Sequence, residues 1–265
     1  MTVLEVNQQG HIVTLTINRP DMRNALGEPG DGQVFSETIS RLNGDRSVRC
    51  VILTGAGTAF SAGGNIKAMH QRGGPFGGSA AHIADGYRTG IHQIVKSLWG
   101  LEVPAIAAVN GPAIGLGNDV ACLCDMRIAA DTAIFGATFL KIGLIPGDGG
   151  AWLLPRVIGH ARASELLFTG KTVSAAEALD WGLVSQVVSG DKLMQTAHIM
   201  ADQVVQQSPE SLRAAKRLMR HGQTVGFETI MEMSASTQAL MHVSDDHMEA
   251  VTAMLEKRPA QYEDK

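Results

Sequence analysis

The sequence predicts an α/β fold followed by a helical C-terminal region. Through the first two thirds of the chain, short apolar or alternating segments that are typical of β-strands alternate with segments whose apolar residues recur at helical spacing. From about residue 190 onwards only the helical spacing remains. Because helices that alternate with strands usually connect parallel strands, the first part is expected to contain a parallel sheet.

The predicted elements of the first half follow from these periodicities. Predicted strands cover residues 3–6, 11–18, 49–55 and 103–111, and predicted helices cover residues 33–43 and 79–99. The strand at 11–18 alternates apolar and polar side chains, which indicates a half-buried strand. The strands at 49–55 and 103–111 are continuous apolar runs that end at a glycine, as fully buried strands do.

The second half begins with two short predicted strands, at 125–131 and 133–136. Predicted helices then cover residues 191–207, 210–221, 226–242 and 245–257. Pro209 and Gly222 separate these helices, and Pro259 follows the last one. The pattern alone leaves open whether this region folds back on the core or packs against another subunit.

Composition excludes several classes of protein. With 45% hydrophobic and 18% charged residues among 265, the chain is neither disordered nor collagen-like. A formal net charge of −4 gives no electrostatic basis for binding nucleic acid or an anionic membrane. Three cysteines argue against a disulfide scaffold. The N-terminal segment lacks a signal-peptide pattern, and we expect a soluble cytoplasmic protein.

Two glycine-rich segments are the first functional signal. Residues 103–123 are interpreted as strand, glycines and helix, and residues 59–69 are interpreted in the same way. Glycines before a helix leave backbone N–H groups free, and two such segments could stabilise one developing oxyanion. Ordinary strand-to-helix turns are the alternative. Neither segment contains a complete nucleotide-binding motif, and no Cys or His spacing predicts a metal site.

The sequence also resembles a known family along nearly its whole length. The motifs that carry the resemblance are LTINRPDMRNAL (15–26), VRCVILTGAGTAFSAGGNIKAM (48–69), VPAIAAVNGPAIGLGNDVACLCDMRIAADTAIFG (103–136), IGLIPGDGGAWLLPRVIG (142–159), ALDWGLVSQVV (178–188) and LEKRPAQY (255–262). In this order they resemble the enoyl-CoA hydratase/isomerase (crotonase) family.

The resemblance implies a crotonase-like spiral of repeated ββα units. Residues 1–190 would form this core with the CoA and acyl site, and residues 191–265 would mediate subunit packing into a trimer or hexamer. It also implies an acyl thioester of coenzyme A as substrate. No cofactor is implied, because coenzyme A is part of the substrate.

The resemblance further implies a set of binding residues. Backbone N–H groups of Gly64 and Leu116 would form an oxyanion hole for a thioester enolate. Gly64 and Asn65 stand where family members often have Ala and Asp. Candidates for binding CoA are Arg23, Ala25, Ala62, Gly64, Asn65, Ile66, Lys67 and Lys257. The three cations could equally be ordinary surface residues.

The acid–base positions depart from those of typical hydratases in the family, which use two glutamates. Asp119 matches the first glutamate with a shorter side chain, and Phe139 matches the second and cannot transfer a proton. Asp148 lies in a loop where some isomerases of the family carry an aspartate one residue earlier. We expect Asp119 and Asp148 to form the acid–base pair, although each could instead cap a helix.

Phe139 and Trp152 are candidates for the acyl pocket, with ordinary core packing as the alternative. The reaction expected from the resemblance is of the enoyl-CoA hydratase type, through a stabilised enolate. Two alternatives stay open at this point. One is an isomerase without net hydration, and the other is an acyl-CoA binder that has lost catalysis because Phe139 replaces a glutamate.

Overall fold

A computed structural model describes residues 2–264 of the chain. Its strands, numbered in chain order, are β1 (Leu4–Gln9), β2 (Ile12–Ile17), β3 (Cys50–Gly55), β4 (Ala105–Val109), β5 (Ala113–Ile114), β6 (Met126–Ala130), β7 (Ile134–Gly136), β8 (Thr172–Ser174) and β9 (Gln186–Val188). Its helices are α1 (Asp31–Gly44), α2 (Ile66–His70), α3 (Ala80–Gly86), α4 (His92–Trp99), α5 (Leu116–Leu123), α6 (Gly150–Thr169), α7 (Ala175–Asp180), α8 (Leu193–Val205), α9 (Pro209–His221), α10 (Phe227–His242) and α11 (Asp245–Glu256).

Six strands form the main sheet, in the order β1-β2-β3-β4-β6-β9. β1 is antiparallel to β2, and the other neighbouring pairs are parallel. The parallel strands β3 and β4 are buried along their whole length, as their apolar sequences predict. The carboxyl ends of β3 and β4 lie at one edge of the sheet. In sheets of this kind, ligands bind at that edge.

A small second sheet has the order β5-β7-β8. The strand predicted within residues 59–69 is wrong, because the segment makes only one β-bridge, from Ser61 to Ala113. The N–H groups of Phe60 and Ser61 share a single acceptor, the carbonyl of Pro112, so no ladder continues. The three-residue strands β8 and β9 are too short to give a periodic signal and were not predicted.

The predicted helices after residue 190 are confirmed, with bounds that differ by one or two residues. The helix predicted over residues 79–99 is divided into α3, a π-helical turn at Tyr87–Ile91, and α4. The sequence analysis did not predict this turn, because π-helical turns are rare and occur mostly as single turns inside α-helices.

Apolar packing covers both faces of the main sheet. One cluster joins β2, β3 and β4 to α1, α4, α5 and α6. On the other face Leu193, Ala197 and Ala201 of α8 pack against isoleucines of β3, β4 and β6. The first helix after residue 190 therefore belongs to the core of the α/β fold, and a role in subunit packing remains a prediction for the helices that follow it.

The last three helices have a different character. Within the described residues α10 has no buried residue, and α11 has only Ala253. Large apolar side chains instead lie exposed on α9–α11 and the turn after α10: Met219, Phe227, Leu240, Val243, Met254 and Leu255. No helix in the described part of the chain is long and apolar enough to cross a bilayer.

Candidate active site

The two glycine-rich segments meet at the carboxyl edge of the sheet. The Ile114 N–H donates to the Ser61 carbonyl over 3.0 Å, next to the bridge between Ser61 and Ala113. Gly117 lies so close to this bridge that a Cβ atom built on it would be 2.2 Å from the Ser61 oxygen. Only a residue without a side chain allows this approach.

The two predicted N–H donors, Gly64 and Leu116, each lie within three residues of this contact between the two segments. Gly63 has φ +83°, and a Cβ atom built on it would be 3.3 Å from the Leu116 nitrogen. Leu116 begins α5, where the N–H groups have no partner within the helix. Within residues 2–264, neither the Gly64 nor the Leu116 N–H donates a hydrogen bond. Both are therefore free to bind an oxygen of a ligand.

Most of the predicted CoA-binding residues also lie together. The Ala62 N–H donates to the Arg23 carbonyl, and the Leu26 N–H donates to the Gly63 carbonyl, both over 2.9 Å. These bonds bring the segment around Ala25 beside residues 62–67.

Asn24, which the sequence analysis missed, holds these segments together. It is fully buried with φ +57°. Its side-chain amide donates to the Ala59 carbonyl over 2.7 Å, and its own carbonyl accepts from the Ser61 hydroxyl over 2.7 Å. Asparagine tolerates this left-handed conformation, but nothing local in the sequence indicates the distant partners.

The short helix α2 carries the exposed residues of the predicted CoA-binding set. Asn65 caps it, accepting from the Ala68 N–H over 3.1 Å, and its amide donates to Glu28 over 2.7 Å. Ile66 and Lys67 follow with exposed side chains. Lys257 lies apart from this group, since it ends α11 and the segment after it returns to Arg49 at the start of β3.

Asp119 is buried in α5, three residues after Leu116. Its side chain has no exposed surface, and within the described residues neither carboxyl oxygen accepts a hydrogen bond. A Cβ atom on Gly150 would be 2.6 Å from Oδ1, so the start of α6 covers the carboxyl group. Burial, and secondarily the charge of Asp148, raises the pKa of Asp119 to about 8, and the nearby Asn118 side chain and Gly150 N–H oppose this only weakly.

Asp148 lies near Asp119 but keeps some access to solvent, with 5% of its surface exposed. Burial raises the pKa of Asp148 to about 6, while the charge of His92 acts in the opposite direction. The helix-cap alternatives fail for both residues, because the N-cap residues are Gly115 for α5 and Gly149 for α6, and neither helix start has a side-chain cap.

The two predicted acyl-pocket residues lie in different surroundings. Phe139 begins a single 3₁₀ turn, and its ring would be 3.6 Å from a Cβ atom on Gly115, the residue directly before Leu116. Trp152 packs edge-to-face on Trp99, with 5.1 Å between ring centroids, and carries the Arg156 guanidinium 4.0 Å over its ring.

Residues 2–264 contain no group of three or more His, Cys, Asp or Glu side chains arranged to hold a metal ion.

Comparisons with known proteins agree with this geometry. Residues 7–265 match the family described as enoyl-CoA hydratase/isomerase. The chain is 36% identical to a 1,2-epoxyphenylacetyl-CoA isomerase of Escherichia coli, covering 95% of this chain and 94% of the relative. It is 34% identical to a short-chain-enoyl-CoA hydratase of Clostridium acetobutylicum, covering 96% and 94%. The crystal structure of an enoyl-CoA hydratase from Bacillus anthracis superposes with a TM-score of 0.92 at 32% identity, covering 99% and 100%.

The burial of Asp119 gives a prediction about stability. Unfolded, this carboxyl has an ordinary pKa of about 3.9, so between about pH 4 and pH 8 the folded chain keeps a proton that the unfolded chain releases. Stability therefore falls as the pH rises through this window. We expect Asp119→Asn to raise the melting temperature, by more at pH 8 than at pH 5.

Thermal unfolding of both proteins across this pH range measures the effect. Asp131→Asn, at an exposed position, is the matched control, and its melting-temperature difference from the wild-type protein should not grow with pH. A melting-temperature difference that is independent of pH would contradict the raised pKa.

Proposed function

Since the chain belongs to the enoyl-CoA hydratase/isomerase family, we propose that it is an isomerase that moves the double bond of an enoyl-CoA thioester. Family membership makes the protein a lyase or isomerase, and its relatives are named as enzymes, so an inactive acyl-CoA binder has no support. The two relatives above carry out different reactions, and the geometry of this chain favours one of them.

The observation that carries the proposal is the unequal access of the two carboxyl groups. Both oxygens of Asp119 are buried, whereas Asp148 retains exposed surface. Asp148 is therefore the carboxyl that can contact an acyl group. A single accessible base suits a proton transfer between two carbon atoms of one substrate better than the addition of water.

The protonation states support the same assignment. With a pKa of about 6 for Asp148 and about 8 for Asp119, the pair holds one proton at neutral pH, and Asp119 holds it. Asp148 is then an anion that can accept a proton. Two carboxyl groups whose environments separate their pKa values take different roles in proton transfer.

The proposed reaction begins when Asp148 removes a proton from C2 of a 3-enoyl thioester. The C–H electron pair moves towards the thioester carbonyl and gives a dienolate, whose oxyanion accepts hydrogen bonds from the Gly64 and Leu116 N–H groups. Asp148 then returns the proton to C4, and the double bond moves from C3–C4 to C2–C3. No water enters or leaves.

Phe139 supports isomerisation over hydration. Its ring lies beside Gly115, so the position of the second glutamate holds an apolar group. Hydration stays the second candidate because the relatives include hydratases and because two carboxyl groups are present. It would require Asp119 to reach a water molecule from its buried position.

The substrate thioester is proposed to lie along residues 23–26 and 62–67. Lys67 is exposed on α2 and is suited to a CoA phosphate as a point charge. Arg23 is exposed on the adjacent segment and can take the same role.

Isotope transfer tests the proposed reaction. With 3-hexenoyl-CoA deuterated at C2, we expect the 2-enoyl product to carry deuterium at C4, because the same carboxyl group removes and returns the nucleus within one bound substrate. Mass spectrometry and proton NMR measure the label.

Asp148→Asn should lower kcat by at least about 100-fold, whereas Asp119→Asn, which resembles the protonated acid, should keep kcat within about tenfold of wild type. Faster formation of 3-hydroxyacyl-CoA from crotonyl-CoA than isomerisation would overturn the proposal in favour of hydration.

The pH dependence should be bell-shaped. We expect kcat/KM to rise with the ionisation of Asp148, whose pKa is about 6, and to fall as Asp119 ionises, with a pKa of about 8. The falling limb reflects a second negative charge that disfavours the dienolate. Asp119→Asn should keep the rising limb and lose the falling one. A falling limb at the same pH in that variant would exclude Asp119 as its source.

We also propose that the exposed apolar side chains of α9–α11 are buried between copies of this chain, in a trimer or hexamer. An exposed apolar area of this kind typically marks an interaction surface. Light scattering coupled to size exclusion should give a mass of three or six times 28.1 kDa. Val243→Asp and Leu255→Asp should lower the mass, and the exposed control Glu228→Gln should leave it unchanged. A wild-type monomer would contradict the proposal.

A further inference from the structure

The loop that carries Asp148 has few attachments. Residues 143–147 are mostly exposed, and Ile145 is 74% exposed. The backbone hydrogen bonds that the N–H groups of this segment donate are local, such as the bond from the Gly147 N–H to the Ile145 carbonyl over 2.7 Å. Local bonds alone fix the shape of a loop but not its position against the rest of the molecule.

One side chain connects this loop to a rigid element. The His92 Nε2 atom is 2.9 Å from the Gly147 carbonyl oxygen and donates to it. Among the described residues, no other side chain donates a hydrogen bond to residues 143–148. His92 begins α4, which is anchored in the core by the buried residues Ile94 and Leu98.

Tyr87 supports the same contact from the preceding turn. Its ring meets the His92 ring edge-on, with centroids 5.8 Å apart and planes at 67°. A Cβ atom on Gly147 would be 3.8 Å from the Tyr87 ring, so the tyrosine lies close to the loop as well as against the histidine. Tyr87 is the first residue of the π-helical turn at Tyr87–Ile91 and His92 directly follows it, and such turns are often found at functional sites.

We propose that His92, braced by Tyr87, is a positioning residue that fixes the Asp148 carboxyl for proton transfer. The inference rests on the proposed role of Asp148. His92 does not touch the reacting carbon atoms in this scheme and acts through the Gly147 carbonyl, one residue before Asp148. Its nearness to Asp148 is also evident from its charge, which lowers the pKa of that carboxyl.

Three substitutions separate the hydrogen bond from the ring contact. His92→Phe keeps an aromatic ring beside Tyr87 but removes the donor, and His92→Gln restores a donor of similar reach. Tyr87→Phe keeps the edge-on ring contact with His92 and removes only the hydroxyl group. His160→Phe, at an exposed position on α6, is the matched control. Thermal unfolding of each variant checks that it folds.

The measurement is kcat and KM for isomerisation of 3-hexenoyl-CoA. We expect His92→Phe to lower kcat by about 10- to 100-fold, the usual effect of a misplaced catalytic group, with KM within about threefold. His92→Gln should regain most of the loss, and Tyr87→Phe should resemble wild type. A His92→Phe variant with wild-type kcat would overturn the proposal.

A double-mutant cycle distinguishes failure of this inference from failure of the proposed function. If His92 acts through Asp148, adding His92→Phe to Asp148→Asn should cause no further loss of kcat. A further loss of kcat equal to the loss that His92→Phe causes in the wild-type protein would mean that His92 acts on the substrate directly, against the proposal. If Asp148→Asn alone stays active, the proton carrier is misassigned and both proposals fall. If His92→Phe stays active but Asp148→Asn does not, Asp148 remains the proton carrier and a positioning role for His92 is excluded.

Discussion

The site depends on the close approach of the backbone of residues 61–64 to that of residues 113–117. A Cβ atom at Gly117 or Gly63 would come within 2.2 or 2.5 Å of a carbonyl oxygen of the opposite segment. The absence of side chains there brings together two N–H groups that are about fifty positions apart in sequence. Because both belong to packed backbone, they need little reorganisation when charge develops on a bound oxygen.

The same packing buries an acid at a cost to stability. Asp119 lies two residues after Gly117, and its carboxyl group is fully buried, with only weak help from the nearby Asn118 side chain and Gly150 N–H. An unsatisfied buried polar group costs about 1–3 kcal/mol, and an ionised one costs more. Retaining the proton reduces this cost, which is the physical reason for the raised pKa. The apolar packing on both faces of the sheet offsets the remainder, as is common where function and stability conflict.

Local patterns in the sequence predicted the strands and helices whose formation depends mainly on residues that are near one another in the chain. The buried strands β3 and β4 and the four C-terminal helices were predicted because period and length distinguish them. The strand predicted within residues 59–69 was wrong, since the single bridge of this segment depends on a partner fifty residues away. The contacts of Asn24 and of His92, which span 35 and 55 positions, left no local signal. Motif resemblance pointed to Asp119 and Asp148 as candidates, but only the structure shows that Asp119 is fully buried whereas Asp148 keeps 5% of its surface exposed.

Stabilisation of a thioester enolate is common to hydration and to isomerisation, so an oxyanion hole does not choose between them. The choice depends on whether water can be held between two carboxyl groups at the acyl chain. In this chain both departures from the two-glutamate pattern act against that arrangement. Phe139 puts an aromatic ring beside Gly115, and both carboxyl oxygens of Asp119 are buried, against Gly150. The carboxyl group that keeps exposed surface is that of Asp148, and in the proposed reaction this single base takes a proton from the thioester and gives it back.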